Sequence, residues 1–424
     1  MLIRFSKQRV PPLFSLIAAL LLSTLGALVA AADEPFLVKP KPGVFVDRVD
    51  EVPDQTAQAI GTKLGGKIQR LSNNMLRIQG RAIKVNVITA VDEANAQKIE
   101  VSLGKIKKRP FFARKGNIVV EFVGQDLDDA IAIKASYELG LVEPPSEITY
   151  RVVAELALID EADYMQCNPL FQTLLQAKQQ AATDSQERIK QISSGFRFGN
   201  KIALRKADSQ PVIEMKFTPQ SGSSSTSGPT TLYTVGTPVK QHGIPYVTID
   251  MKLLVDDDGL TPTTTVPDRS LTSATKHWPA DNPQFESLAK QITQGKRTND
   301  DKAKALLQWL APGKNLKYGG QTGSRWGTLK VIEQKFGHCW DFSDAFVTLA
   351  RAAGVPSRQV AGWLYGSSGH VWCEYYSEGK GWQQVDPTSG GVPPCGLYHL
   401  AYFTTETGDM PIVYMGLPTI TITK

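Results

Sequence analysis

Between residues 83 and 217 the apolar residues follow the two periods of regular structure. Ile83, Val85 and Val87 alternate with Lys84 and Asn86, as in a strand with one buried face. Ile148, Tyr150, Val152, Ala154, Leu156 and Leu158 continue that alternation over a longer strand, and shorter strands are expected at 118–123, 196–205 and 211–217. Helices are predicted over 92–104 and over 126–139, the second stopped by Gly140, and over most of 160–194 with a break at Asn168-Pro169. A helix over 57–76 is read against the presence of Gly61, Gly65 and Gly66. Residues 33–220 therefore form a mixed α/β N-terminal region of unknown function. Ser221 to Pro229, rich in serine and glycine, builds no core and is expected as a linker or loop. Val247, Ile249, Met251 and Leu253 alternate in a small β unit over 230–276.

The pattern changes after residue 277. Asn282-Pro283 reads as a cap and first-turn proline before Phe285, Leu288, Ala289 and Ile292. Thr298 to Asp301 reads as a capping box before Ala303, Leu306, Leu307 and Leu310. Phe342, Ala345, Phe346, Leu349, Ala350 and Ala353 form the buried stripe of a further helix, closed by Gly354 and Pro356. Residues 359–364 and 369–376 are strands, and 382–386 follows after a five-residue turn.

Cys339 stands at the mouth of the 342–353 stripe. Unpaired N–H groups and the helix dipole favour an anion there, so its thiol is expected to titrate below the free value of about 8.5. In a hairpin folded about Gly379, residues whose numbers sum to about 758 face each other. That register puts Asp386 diagonal to His370, and a shift of two puts it directly opposite. Either way a carboxylate lies close enough to fix the imidazole tautomer while the other ring nitrogen takes the thiol proton.

Cysteine, histidine and aspartate in this order resemble the transglutaminase-like superfamily over about residues 282–390. The resemblance rests on Gly337-His338-Cys339-Trp340, His370-Val371-Trp372, Val385-Asp386-Pro387-Thr388 and the connector Gly354-Val355-Pro356-Ser357-Arg358. It implies an α+β fold: a C-terminal papain-like core over 277–424, with the nucleophile helix packed on an antiparallel sheet. It also implies that Cys339, His370 and Asp386 are catalytic. The first oxyanion donor is then the Cys339 backbone N–H. The second is an upstream side chain, with Tyr318, Gln321 and Trp326 all open. Trp340 and Trp372 are candidate walls of an acyl site, and with Trp326 and Trp363 they are weighed as a water-excluding tunnel. Asp341 is given a dipole or structural role and His338 a place at the cleft edge.

The first residues carry Arg4, Lys7 and Arg9, then a run from Leu13 to Val29 broken only by Ser15, Ser23, Thr24 and Gly26, then Ala30-Ala31-Ala32. This reads as a signal peptide over 1–32 with cleavage near Ala32, so a secreted or periplasmic protein with no stable membrane insertion after cleavage is expected. The formal charge of +6 falls to +3 without those three basic residues, too mild to imply nucleic acid. Basic residues around Phe111-Phe112 are read as a solvated loop, and Asp256 to Gly259 as a polar turn rather than a calcium loop. Cys167, Cys339, Cys373 and Cys395 lack metal-binding spacing, so no metal or cofactor is expected, and a Cys373–Cys395 disulfide is the pairing considered. The expected partner is a protein or peptide substrate, and the oligomeric state is open. Three functions follow: a thiol hydrolase of peptide or amide bonds, a cross-linking transglutaminase, and a non-catalytic binding module.

Overall fold

The computed structural model describes residues 44–78, 81–124, 127, 129–158, 197–205, 210, 212–241, 244–263, 265–320, 325–366, 369–389, 395–409, 413–414 and 418–423. The signal-peptide segment, the 160–194 helix, Cys167 and Gln321 lie outside these residues. Among the described residues no helix is long and apolar enough to cross a membrane.

The first part is a five-stranded antiparallel sheet in the order Val44–Glu51, Ile68–Ile78, Arg81–Ala90, Ile118–Val123, Phe112–Lys115. Helices Asp54–Leu64 and Glu93–Gly104 share a core with it through Ala57, Leu64, Ala96, Ile99 and Leu103. The helix expected over 57–76 is thus one short helix and one strand. Gly65, at φ 74, ends the helix, and Gly66 packs where a Cβ would stand 2.7 Å from the Asn95 carbonyl oxygen. The third helix is Asp129–Glu138. The basic residues near Phe111 are offset by acids: Lys107 pairs with Glu121, Lys108 with Asp129, and Arg109 and Arg114 with Glu100.

A second sheet is built on Glu147–Ala157, paired along its whole length with Ile244–Asp256. Val212–Thr218 and Val239–Gln241 extend it from the latter strand. Val413–Tyr414 and Thr419–Ile422 return from the far end of the chain to pair with Glu147–Ala157. This sheet therefore joins segments on both sides of residues 220 and 276, because strand pairing is satisfied by hydrogen bonds irrespective of sequence distance.

Ser221–Ser227, expected as a linker or loop, is a strand. It pairs with Thr230–Val235, which pairs in turn with Lys201–Arg205, and Gly228 at φ 53 makes the turn. Its side chains are mostly exposed, so it builds no core, yet backbone pairing needs no apolar side chain.

The C-terminal part carries helices Pro283–Ile292, Asn299–Leu310, Thr328–Gln334 and Cys339–Ala352 on an antiparallel sheet. Its order is Leu260–Pro262, Gly381–Val385, Gly369–Ser377, Ser357–Leu364, His399–Thr405. Asn282 caps its helix by accepting from Gln284 N at 2.9 Å, and Thr298 caps the next through Asp301 N at 3.1 Å. Phe342, Phe346 and Leu349 are fully buried, each contributing roughly 1.5–3 kcal/mol of apolar transfer. Cys373 packs in this helix-side core, whereas Cys395 sits in a separate cluster with Val360, Trp372 and Ala401. Both are unpaired thiols, so the Cys373–Cys395 disulfide is not formed. The two sulfurs serve different clusters.

Candidate active site

Cys339 is the first residue of its helix. His338 precedes it in extended conformation, and the His338 carbonyl accepts from Phe342 N at 2.9 Å. The buried Asp341 carboxylate closes this start, accepting from His338 N at 3.0 Å and from Trp326 N at 2.8 Å. Asp341 is thereby structural. It leaves no room beside it: a Cβ on Gly337 would lie 2.6 Å from the Asp341 Cβ.

The segment before the helix brings Tyr318 alongside. Lys317 and Tyr318 pair in parallel with Phe336 and Gly337, and Gly319 N donates to Gly337 O at 2.9 Å. His338 Nε2 lies 2.7 Å from Gly320 O; a carbonyl only accepts, so that nitrogen carries the proton. The His338 ring meets the Tyr318 ring edge-on at 4.9 Å. The Tyr318 hydroxyl stands close enough to Cys339 for the cysteine to act on its pKa. Burial first, then the negative charge of Cys339 and Asp386, push its pKa up, so it remains a neutral donor.

His370 and Asp386 lie on neighbouring strands. Cys373 faces Val385 and Tyr376 faces Trp382, the register in which paired numbers sum to 758, and His370 Nε2 reaches Asp386 Oδ2 at 2.8 Å. Because carboxylate oxygens only accept, Nε2 holds a proton and the other ring nitrogen is left for Cys339, with whose side chain His370 interacts. Burial alone would lower the His370 pKa; the charge and hydrogen bond of Asp386, helped by Cys339, outweigh it and raise it to about 10. Burial would raise the Asp386 pKa, but His370 and His399 hold it well below the usual carboxylate range. Thr388 adds two more hydrogen bonds to Oδ1, from N at 2.9 Å and Oγ1 at 2.7 Å.

The other expected residues separate. Trp326 turns its ring onto Phe336 at 5.2 Å. Trp372 has no exposed surface: it stacks behind His370 and donates Nε1–H to Gln384 at 2.7 Å, so it backs the histidine rather than walling an acyl site. Trp363 is equally buried against Tyr402, so the four tryptophans do not form a tunnel. Trp340 is half-buried beneath the guanidinium of Arg325, 4.9 Å from its ring. Arg325 in turn grips Asp344 of the helix with two hydrogen bonds at 2.6 and 2.7 Å.

His399 was missed by sequence reasoning. It sits in an apolar strand with no motif about it, and only the rarity of histidine, five in the chain, singles it out. Its Nε2 lies 3.2 Å from the same Asp386 oxygen. His370, Asp386 and His399 offer three ligand atoms within 4.8 Å of one another, but both rings already bond to one carboxylate oxygen.

The sequence profile of the Transglutaminase-like superfamily matches residues 286–387, which contain Cys339, His370 and Asp386. This segment is a transglutaminase-like core. Over 159 residues, 32% of its length, the chain is 29% identical to the protein-glutamine gamma-glutamyltransferase of Pseudomonas aeruginosa. Over 71 residues, 16% of this chain, it is 35% identical to the peptide-N(4)-(N-acetyl-beta-glucosaminyl)asparagine amidase of Debaryomyces hansenii. The chain spans only 24% and 19% of those two proteins. A crystal structure named "putative cysteine protease", from Cytophaga hutchinsonii, aligns at TM-score 0.39 and 16% identity, covering 65% of this chain and 87% of that one.

Proposed function

We propose that the core is a thiol hydrolase of peptide or carboxamide bonds, with Cys339 as nucleophile, His370 as acid and base, and Asp386 as its orienting carboxylate. The observation that carries this is the 2.8 Å hydrogen bond between His370 Nε2 and Asp386 Oδ2, with Cys339 at the start of its helix close enough to His370 and to Tyr318 to act on the pKa of each. The Cys339 sulfur, having passed its proton to His370, attacks the carbonyl carbon. The carbonyl electron pair becomes an oxyanion that accepts from the Cys339 N–H and the Tyr318 hydroxyl. Collapse expels the amine, which takes the proton from His370, and leaves a thioester on Cys339. Water then gives a proton to His370 and its oxygen to the acyl carbon, releasing a carboxylic acid and restoring the thiol.

Hydrolysis is preferred over transfer because amine transfer must compete with water at about 55 M, which needs a water-excluding path to the thioester. Trp363 and Trp372 are wholly buried and line no such path. The similarity to a gamma-glutamyltransferase keeps transfer as the second reading. The test supplies a glutamine-containing protein and a fluorescent primary amine, with Cys339→Ala as control. Release of ammonia or peptide that outpaces amine incorporation is expected; cysteine-dependent incorporation running faster would establish transfer instead. We further propose export to the periplasm or medium with removal of residues 1–32, on the basis of the basic, apolar and small-residue sequence there. An intact mass from the native compartment that retains those residues would overturn this.

A further inference from the structure

His399 shares the acceptor of the proposed triad without belonging to it. Asp386 Oδ2 lies 2.8 Å from His370 Nε2 and 3.2 Å from His399 Nε2. A carboxylate oxygen donates nothing, so both rings must present N–H at Nε2. With two donors on Oδ2 and Thr388 N and Oγ1 on Oδ1, the carboxylate has no acceptor site to spare.

The other nitrogen of His399 decides its charge state. Nδ1 is buried and, among the described residues, has no hydrogen-bond partner. A proton there would leave a charged, unpartnered N–H in the interior, which burial strongly disfavours, so Nδ1 keeps its lone pair and the ring is neutral. Burial, and after it the charges of His370 and Lys134, push the ring's pKa down, against the opposing pull of Asp386. The ring is also held in place. It meets the Trp372 ring edge-on at 5.0 Å, its backbone N–H donates to Gly396 O at 3.2 Å, and its carbonyl accepts from Gln210 Nε2 at 2.5 Å.

We propose that His399 is a positioning residue: a fixed, neutral donor that pins Asp386 Oδ2 and draws part of its charge away from His370. The proposal rests on the triad reading given above. Its consequence lies in proton transfer. His370 must give up a proton to the leaving amine and recover one from water, which is best done by a group whose pKa lies near the working pH. A carboxylate answered only by His370 would hold the imidazolium harder. The donor from His399 moderates that hold while keeping Asp386 ionised and aimed. Besides the action of His370 on His399, the ionisable groups that act most on these two rings are Cys339, Asp386 and Lys134.

The experiment follows histidine ring nitrogens by NMR in the full chain, selectively labelled, across pH, for wild type, His399→Phe and His399→Gln. Thermal unfolding of each variant is recorded alongside. In the wild type His399 is expected to stay a neutral Nε2–H ring across the range. His399→Phe is expected to raise the His370 midpoint by about 0.5–1 in pH, and His399→Gln, which can donate from its amide, to bring it back. A merely structural histidine would lower the unfolding temperature and leave the midpoint alone. A proton on Nδ1 of wild-type His399, or an unmoved His370 midpoint in a folded His399→Phe, overturns the proposal. If His399→Phe does not fold, the wild-type tautomer still decides: a proton on Nδ1 overturns the proposal and a neutral Nε2–H ring upholds it. Iodoacetamide alkylation of Cys339 in His370→Ala tests the triad separately: an unchanged rate there removes the triad, whatever His399 does.

Discussion

Replacing Asp386 by asparagine removes one charge and keeps the shape, so it isolates what the carboxylate does to His370. Four donors converge on this side chain, two imidazole N–H groups on Oδ2 and the Thr388 N–H and hydroxyl on Oδ1. An amide has one oxygen, and turning it toward the histidines is favoured, since the Thr388 hydroxyl can rotate to accept whereas an imidazole N–H cannot. The hydrogen bond to His370 is then kept and the charge is lost. His370 stands at about 10 against an ordinary 6.5. At about 1.36 kcal/mol for each factor of ten, that gap sets an upper limit on the order of 5 kcal/mol, of which Cys339 supplies a part. The sign follows from linkage. A folded-state pKa raised above the unfolded one stabilises fully below about pH 6.5 and is lost as pH rises toward 10. The lowered Asp386 pKa contributes above about pH 4 and is lost as pH falls through its folded value. Urea unfolding at pH 6.5 and pH 9.5 reads the alkaline side. The wild type should lose about 1–4 kcal/mol more over that interval than Asp386→Asn, whose His370 midpoint should fall to neutrality or below. Turnover should fall on the order of 10²–10⁴-fold while remaining measurable, because the base survives without its orienting charge. An equal loss of stability in the two proteins would refute the reasoning.

Tyr318→Phe keeps the ring contacts with His338 and Phe342 and removes only the hydroxyl beside Cys339, so kcat should drop about 10²-fold with little change in KM. An unchanged kcat would leave Tyr318 as packing. Iodoacetamide with peptide mapping should label Cys339 in the native protein well before Cys373 or Cys395, whose thiols are buried and whose pKa values are pushed up chiefly by that burial. Comparable labelling of either buried cysteine would contradict the assignment.

The proposed triad was legible because each member sits in a local pattern. A helical stripe after Cys339 fixes the helix mouth, and a hairpin about Gly379 fixes which residues of two strands meet. His399, Tyr318 and Arg325 reach the site through contacts that leave little trace along the chain. The Tyr318 position depends on a two-residue parallel bridge, and His399 on the placement of a strand that pairs with Ser357–Leu364. The tryptophans misled for a related reason. Their numbers adjoin the proposed catalytic residues, but alternation in a sheet buried on both faces gives no open side, so Trp372 and Trp363 are core. Residues 57–76 and 221–227 misled through composition: glycine at a helix end marked a boundary, and serine in an edge strand did not prevent pairing.

The least legible feature is how far the N-terminal half enters the C-terminal sheet. Glu374 lies fully buried in the strand that carries His370, between Arg205 of the N-terminal half and Arg358 of the neighbouring strand, at 2.8 Å from the latter. Burying such a carboxylate is costly unless it is answered, and both guanidiniums hold its pKa down despite that burial. Tyr150 donates to Leu397 O at 2.7 Å, and Gln210 bonds the backbone on both sides of Leu400. Thr419–Ile422, beyond the core, pairs with the Tyr150 strand. A segment shed on activation would be expected to meet the core through polar contacts that water can replace. Here its removal would withdraw one of the two cations answering a buried charge and uncover the sheet edge next to His399. These contacts fit a scaffold continuous with the proposed catalytic core, and they hold the strand from which His399 reaches Asp386.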